Sequence, residues 1–250
     1  MIILKSPQEI EKIRASCRIV AEALQLLEKA VEPGITTLEL NDIAERYLKE
    51  RGAAPAFKGY RGFPMSLCAS INEEVVHGIP SAQRKLREGD VISLDLGSLY
   101  EGYYGDAAIT VGVGEIPEVA RKLLEVTRAS LECGLQQVRE NNCLSDISHA
   151  IQTAVEKEGF SVVRIFVGHG IGASLHEEPQ IPNFGPPGRG PRLKEGMVLA
   201  VEPMVNVGTS DVRILDDKWT VVTQDGSLSA HFEHTVAVAK NGCDVLSRFN

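Results

Sequence analysis

No stretch of the chain approaches the roughly 18 to 20 consecutive apolar residues that a membrane-crossing helix needs, and the N-terminal MIILKSPQEIEKIR turns charged almost at once. Neither a membrane anchor nor a secretory signal is expected, which leaves the cytoplasm as the default compartment. Cysteine is sparse and odd in number. Cys17, Cys68, Cys133, Cys143 and Cys243 include no C-x-x-C pair, which suits neither a disulfide framework nor a thiolate zinc site. Basic charge is the minority sign, with 26 Lys and Arg against 34 Asp and Glu for a net charge of -8. No Lys/Arg run supplies the basic face that neutralising phosphates requires, so no direct DNA binding is expected. Aromatic residues make up 5% of the chain, with a single tryptophan, Trp219.

What is present is the mixture of an ordinary globular protein: 250 residues, 43% hydrophobic and 24% charged, enough for one large core or two closely packed halves. Ser6-Pro7-Gln8-Glu9 has the pattern of a capping box, and Ile10, Ile13, Cys17, Val20, Leu24 and Leu27 follow at helical spacing until Pro33-Gly34. Thr37 can cap a second helix, with Leu40, Ile43, Tyr47 and Leu48 inward and Gly52 at its end. A similar pair recurs. Leu124, Val126, Leu131, Leu135 and Val138 mark one helix, and Ser145 can cap another carrying Ile147, Ile151 and Val155 up to Gly159. Placing Ala23-Leu24-Gln25 on Gly134-Leu135-Gln136 and Gly52 on Gly159 gives a weak internal repeat, with halves at about 6–113 and 117–245 of a single domain spanning 1–250.

Strand-like segments follow each helical pair: Leu67 to Val76, Val91 to Leu96, Ala107 to Val113, Val162 to Val167, Val198 to Val201, Trp219 to Thr223 and Phe232 to Val238. Turn residues at Tyr100 to Gly102, at Asp225-Gly226 and at Asn241-Gly242 favour antiparallel pairing, and Pro182 to Pro191 reads as a loop. The fold class is α+β, an antiparallel sheet covered by helices.

Acids stand where apolar strands end. Asp95 closes Val91 to Leu94, and Asp106 opens the return strand, so a hairpin brings two like charges together; that calls for a shared proton or a cation. His169 lies between Gly168 and Gly170, which remove the side chains that would block a ligand from its imidazole. Val198 to Val201 runs into Glu202, kept extended by Pro203, and in Ala230-His231-Phe232-Glu233-His234-Thr235 the alternation puts His231, Glu233 and Thr235 on one face. Four carboxylates and one imidazole suit hard or borderline divalent ions, and two such ions can clamp an attacked carbonyl, so the pattern points to metal-assisted hydrolysis.

The segments Asn72-Glu73-Glu74-Val75-Val76-His77-Gly78-Ile79-Pro80, Asp95 to Asp106, Gly168-His169-Gly170-Ile171-Gly172 through His176-Glu177-Glu178-Pro179, Val201-Glu202-Pro203 and His231-Phe232-Glu233-His234-Thr235 resemble the type I methionine aminopeptidases of peptidase family M24. The resemblance runs from Ser6 to Val245. It implies the pita-bread fold, two pseudo-symmetric halves around a dinuclear centre, and two divalent ions drawn from cobalt, manganese, iron or zinc. Asp95 would bind one ion, Asp106 and Glu233 would bridge both, and His169 and Glu202 would complete the other. A bridging water or hydroxide would attack the first peptide bond with Glu202 handling the proton, while His77 and His176 would contact the substrate. Phe57, Tyr60, Phe63, Cys68, Leu175 and Trp219 would line the methionine pocket, although many bacterial members carry Cys and Phe where this chain has Phe57 and Leu175.

The implied substrates are the N-termini of nascent polypeptides with a small second residue. The chain resembles a minimal bacterial-type enzyme without an N-terminal zinc-binding extension. It is expected to be a monomer, and any ribosome contact would use the catalytic domain's own surface. Asn72 and Ser229 match positions that ligate a monovalent ion in some relatives. The alternatives are an Xaa-Pro aminopeptidase or prolidase of the same fold, and a pita-bread binding module that has lost catalysis.

Overall fold

The computed structural model describes residues 1–240 and 242–248. Helices α1 (Pro7–Ala30) and α2 (Thr37–Glu50) lead into strands β1 (Ala54–Pro55), β2 (Leu67–Ile71), β3 (Glu74–Val76), β4 (Val91–Tyr100) and β5 (Tyr103–Gly112). The order then repeats. Helices α3 (Glu118–Leu135) and α4 (Leu144–Lys157) lead into β6 (Ser161–Val162), β7 (Gly168–Gly170), β8 (Glu177–Ile181), β9 (Val198–Val201), β10 (Met204–Asn206), β11 (Val212–Ile214), β12 (Val221–Thr223), β13 (Ser229–His231), β14 (Glu233–Ala239) and β15 (Gly242–Val245).

Among the described residues, nine strands form the main sheet in the order β1-β4-β5-β14-β9-β7-β8, with β2 also on β4 and β15 on β14. Its centre is the antiparallel contact of β5 with β14, where Glu233 lies opposite Ala108 and His234 opposite Ala107. Outward from that seam the two sides read alike: β4 then β2 on one, β9 then β7 on the other. The sheet therefore repeats the helix-pair repeat in space. Two small sheets, β13-β10-β6 and β11-β12-β3, complete the strands.

One sheet face is apolar because Ile92, Leu94 and Leu96 of β4 and Ala107, Ile109 and Val111 of β5 alternate onto it. Helix α1 covers β4 and β5, burying Ile13, Cys17, Val20, Leu24 and Leu27 as its spacing predicts. The approach is close. A Cβ on Gly105 would stand 2.5 Å from the Cys17 backbone nitrogen, and Ser16 Oγ lies 2.7 Å from Ser98 Oγ between helix and strand. Leu131, Leu135 and Val138 are buried as expected, but the first half of α3 buries Leu123, Thr127 and Ser130 in place of Leu124 and Val126, which are only half-buried. Thr127 and Ser130 escape a hydrophobicity reading because their hydroxyls donate back to Leu123 O and Thr127 O, at 2.7 Å each, and so enter the core satisfied.

Two caps differ from expectation. Thr36, not Thr37, caps α2, with Glu39 accepting from the Thr36 N–H at 2.8 Å; that leaves Thr37 in the first turn. Cys143, not Ser145, is the cap residue of α4, where Asp146 accepts from the Cys143 N–H at 2.7 Å. Ser145 Oγ instead accepts from Arg189 N–H and pins the Pro182 to Pro191 loop. Both boxes follow the carboxylate three residues on, which decides the cap.

The strand expected over Val162 to Val167 stops at Val162 and belongs to a small sheet; Ile165 is 65% exposed and the chain rejoins the main sheet only at Gly168. Asp225-Gly226 joins β12 and β13, which lie in different sheets and do not pair. Asn241 lies outside the described residues, and the strands β14 and β15 on either side of it pair antiparallel.

Replacing Gly105 by Ala places a methyl inside the α1 backbone, so the helix must lift from β5. A loss of about 1 to 3 kcal/mol and a lower midpoint in thermal unfolding followed by circular dichroism are expected; an unchanged midpoint would show that the approach is not tight.

Candidate metal centre and adjoining cavity

Register alone gathers the acids. On β4 and β5 Asp95 pairs with Ala108 and Asp106 with Gly97, so the two carboxylates are diagonal neighbours on the face away from α1. Ala108 is also opposite Glu233, so its methyl is all that stands between the Asp95 and Glu233 side chains along that row. On the other side of the seam Thr235 pairs with Ala200, which in turn pairs with His169. His234 pairs with Val201, which sets Glu202 beside Glu233 one residue further along. Small residues at 97, 108 and 200 leave the face open for five larger polar ones.

The ligand atoms of Asp106, His169 and Glu233 all lie within 4.8 Å of one another. Glu202 Oε1 is 3.6 Å from His169 Nε2, which brings the fourth carboxylate to the same spot. Asp95 Oδ1, Asp106 Oδ1 and Glu233 Oε1 are buried without a hydrogen-bond partner. Burial raises all four carboxyl pKa values above the ordinary range, and mutual repulsion adds to it for Asp106, Glu202 and Glu233. Such a set is stable only with protons or cations among the oxygens.

His169 adds a nitrogen donor to the set. Its Nδ1 lies 2.9 Å from the carbonyl oxygen of Gly170, which can only accept, so Nδ1 carries the proton and Nε2 presents a lone pair toward the carboxylates. A bare imidazole nitrogen among orphaned carboxylate oxygens is the donor set of a divalent cation, and the residues fit one. Gly168 and Gly170 also serve a second purpose. A Cβ at either would come within 2.4 Å of Ala200 O or 2.3 Å of Glu178 O, so the glycines let β7 seat between β9 and β8.

Beside the acids is a cavity of about 150 Å³. Phe57, Tyr60, Phe63, Cys68, Leu175 and Trp219 line it together with His77, His176 and the five polar residues above. The structure thus brings together every residue singled out in the sequence as ligand, proton carrier or pocket wall. Phe63 meets Trp219 edge-on at 5.2 Å, and Trp219 is set by Asp217, whose Oδ1 accepts from the N–H groups of Trp219 and Thr220 at 2.8 Å each. His77 holds a left-handed backbone, φ 61°, and lies edge-on to Phe166 and Trp219. Burial lowers its pKa to about 4. His176 stacks on Tyr60, whose hydroxyl is 2.9 Å from Nδ1, and desolvation followed by the nearby His169, Arg61 and His77 lowers its pKa.

Sequence reasoning missed three residues here. Arg61 lines the cavity, Phe166 packs on His77, and His231 lies 3.7 Å from Glu202. Only His231 had a signal, its place on the Glu233 face. Its backbone N–H donates to Thr110 Oγ1 and its carbonyl accepts from the same hydroxyl, and burial lowers its pKa to about 3. A larger groove of about 700 Å³, between α1 and β15, is rimmed by charges already paired with each other, Arg14 with Asp244 and Arg248 with Glu132.

A metallopeptidase family M24 model matches residues 11–240. The chain belongs to that family. It is 57% identical over 248 residues to methionine aminopeptidase 1 of Bacillus subtilis, covering 99% of this chain and 100% of the relative. A methionine aminopeptidase of Clostridium acetobutylicum is 56% identical over 99% of each chain. The crystal structure of methionine aminopeptidase from Thermotoga maritima superposes with a TM-score of 0.98 at 46% identity over the whole of both chains. A prolidase from Pyrococcus horikoshii shares the M24 fold at a TM-score of 0.80, 22% identical and matched over 65% of its own length. The pita-bread architecture, two like halves facing one site, is therefore the fold of this M24 member. No described helix is long and apolar enough to cross a membrane.

Raised carboxyl pKa values mean that the folded protein holds protons the unfolded chain releases, so their contribution to stability falls as pH rises above roughly 4. The lowered histidines act oppositely, adding stability as pH rises toward about 6.5 and nothing beyond it. For protein stripped of divalent ions by a chelator, the unfolding midpoint should therefore drop from neutral pH to about pH 9. Excess Mn²⁺ should flatten that drop; a midpoint that rises with alkalinity in the stripped protein would contradict the assigned burial.

Proposed function

We propose that the chain is a methionine aminopeptidase, releasing the N-terminal methionine of polypeptides whose second residue is small. One observation carries the reading: the acidic cluster and the aromatic-lined chamber are walls of the same cavity. A thioether side chain seated among Phe63, Trp219 and Tyr60 would gain sulfur–aromatic contacts and place its scissile carbonyl at the carboxylates. A space of this size accommodates a group about as large as benzene. The high identity and full coverage of the methionine aminopeptidase relatives support the same reading over a prolidase.

Asp95, Asp106, His169, Glu202 and Glu233 would hold two divalent ions. When bound, such ions polarise a peptide carbonyl and make water a better nucleophile at neutral pH. Glu202 takes the proton from the attacking water and returns it to the departing amine, a role its place among the other acids and beside His169 allows. Tyr60 donates to His176 Nδ1, which leaves His176 Nε2–H to hydrogen-bond the substrate carbonyl as negative charge develops on it. His77, held by Phe166 and Trp219, presents its ring to the first peptide unit. The substrates would be new protein chains in the cytoplasm.

Protein freed of metal should not hydrolyse Met-Ala-Ser, and Mn²⁺ or Co²⁺ should restore turnover. Asp106→Asn and Glu233→Gln should each lower kcat/KM by more than about 100-fold with the circular dichroism spectrum unchanged. Met-Ala-Ser should be preferred over Leu-Ala-Ser and Ala-Pro. Faster cleavage of Ala-Pro would move the assignment to the prolidase class.

Gly97 sets the chamber's depth, since a Cβ there would lie 2.7 Å from Phe57 Cε1 and 2.9 Å from Ala56 Cβ. Gly97→Ala should push Phe57 into the chamber and raise KM for Met-Ala-Ser several-fold, with a smaller change in kcat; steady-state kinetics that leave KM unmoved would remove Phe57 from the pocket wall.

A further inference from the structure

We propose that His231 is a positioning residue for Glu202, donating its Nε2–H to Glu202 Oε2 and holding the carboxylate with Oε1 toward His169. The inference rests on the proposed role of Glu202 as proton carrier. The Glu202 carboxylate stands between two imidazoles: Oε1 is 3.6 Å from His169 Nε2 and Oε2 is 3.7 Å from His231 Nε2. The two rings are not equivalent. His169 spends its proton on Gly170 O, so its Nε2 cannot donate. Of the two, only His231 can offer Glu202 a hydrogen.

Nothing else in its surroundings explains His231. The residue is 1% exposed, and neither ring nitrogen has a hydrogen-bond partner among the described residues. Burying an imidazole with both nitrogens unpaired costs free energy that a Leu or Met of similar bulk would avoid. Its backbone is fixed from both sides by Thr110 Oγ1, which is itself 2.8 Å from Ser93 Oγ, so the ring is delivered to the Glu202 side by a braced strand end. A separation of 3.7 Å closes to hydrogen-bond length with a small rotation of either side chain. Groups that orient a proton-carrying or metal-binding carboxylate in this way typically change affinity or rate by about 10 to 100-fold when lost.

The test compares His231→Gln with His231→Met, two side chains of similar length of which only Gln carries an N–H donor. Turnover of Met-Ala-Ser by the manganese-loaded enzyme and calorimetric titration of Mn²⁺ into metal-free protein are both measured, with Glu202→Gln as reference. The Met variant should lose about 10 to 100-fold in kcat with KM within about twofold of the parent and should bind Mn²⁺ more weakly, while the Gln variant keeps most of both. Equal behaviour of the Gln and Met variants, whether both active or both impaired, overturns the inference. Should Glu202→Gln itself retain full turnover, the reading of Glu202 falls and the inference with it; an inactive Glu202→Gln beside equal variants at 231 overturns the inference alone.

Discussion

Four carboxyl groups and an imidazole lone pair share one buried face of the sheet, and that concentration of negative potential governs the design around it. Hydrophobic burial could not hold such a face together, because each orphaned oxygen costs free energy that only a proton or a cation returns. The scaffold is accordingly rigid where the acids sit. Helix α1 lies against the opposite face close enough that position 105 has no room for a side chain, and the β4–β5 ladder runs unbroken from Val91 to Gly112. A stiff ladder keeps like charges from drifting apart when no cation holds them.

The same ladder supplies the hydroxyl braces. Thr235 Oγ1 donates to the Asp106 carbonyl at 2.7 Å and receives the Asp106 N–H at 3.3 Å, tying β14 to β5 where regular pairing has ended. Thr110 does the same for the His231 backbone. These two threonines close the seam between the halves, and the residues they fix belong to the acidic site. Fold stability and site geometry are thus carried by the same short segments, at the central seam of a sheet whose two sides read alike.

Selectivity arises in a different way, from what lies next to the acids rather than among them. Apart from Cys68 on β2, the chamber wall is drawn from the segment between β1 and β2, from the turn before β8 and from the turn before β12, none of which has a regular ladder of its own. Local devices hold it: Asp217 fixes Trp219, Tyr60 supports His176, and Gly97 makes space for Phe57. Loops on a rigid frame can be altered one side chain at a time, which lets residues such as Phe57 and Leu175 tune the pocket without disturbing the acids.

Much of this was legible in the sequence, because the governing signals are local. An acid interrupting an apolar run, a carboxylate three residues past a cap and a helical stripe all express the chemistry of a few neighbouring residues, so Asp95, Asp106, Glu202, Glu233 and α1 stood out, although β4 runs on to Tyr100 and β5 begins at Tyr103, which places Asp95 and Asp106 inside their strands rather than at the ends expected. What the chain alone left open depends on residues far apart. Thr127 and Ser130 enter the core because their hydroxyls bond back into the helix, and Ile165 stays outside because the strand expected there leaves for another sheet. That Gly168 and Gly170 also provide the clearance between strands shows only in the packed sheet. The tautomer of His169, the isolation of His231 and the joining of acid cluster to chamber exist only once β7, β9 and β14 lie side by side and β13 is packed on its own small sheet next to them. Sequence determined which chemical groups the protein carries, since local pattern sets acids against apolar runs; the tertiary structure decided which of them face one another, since that depends on register across a seam between residues more than a hundred positions apart.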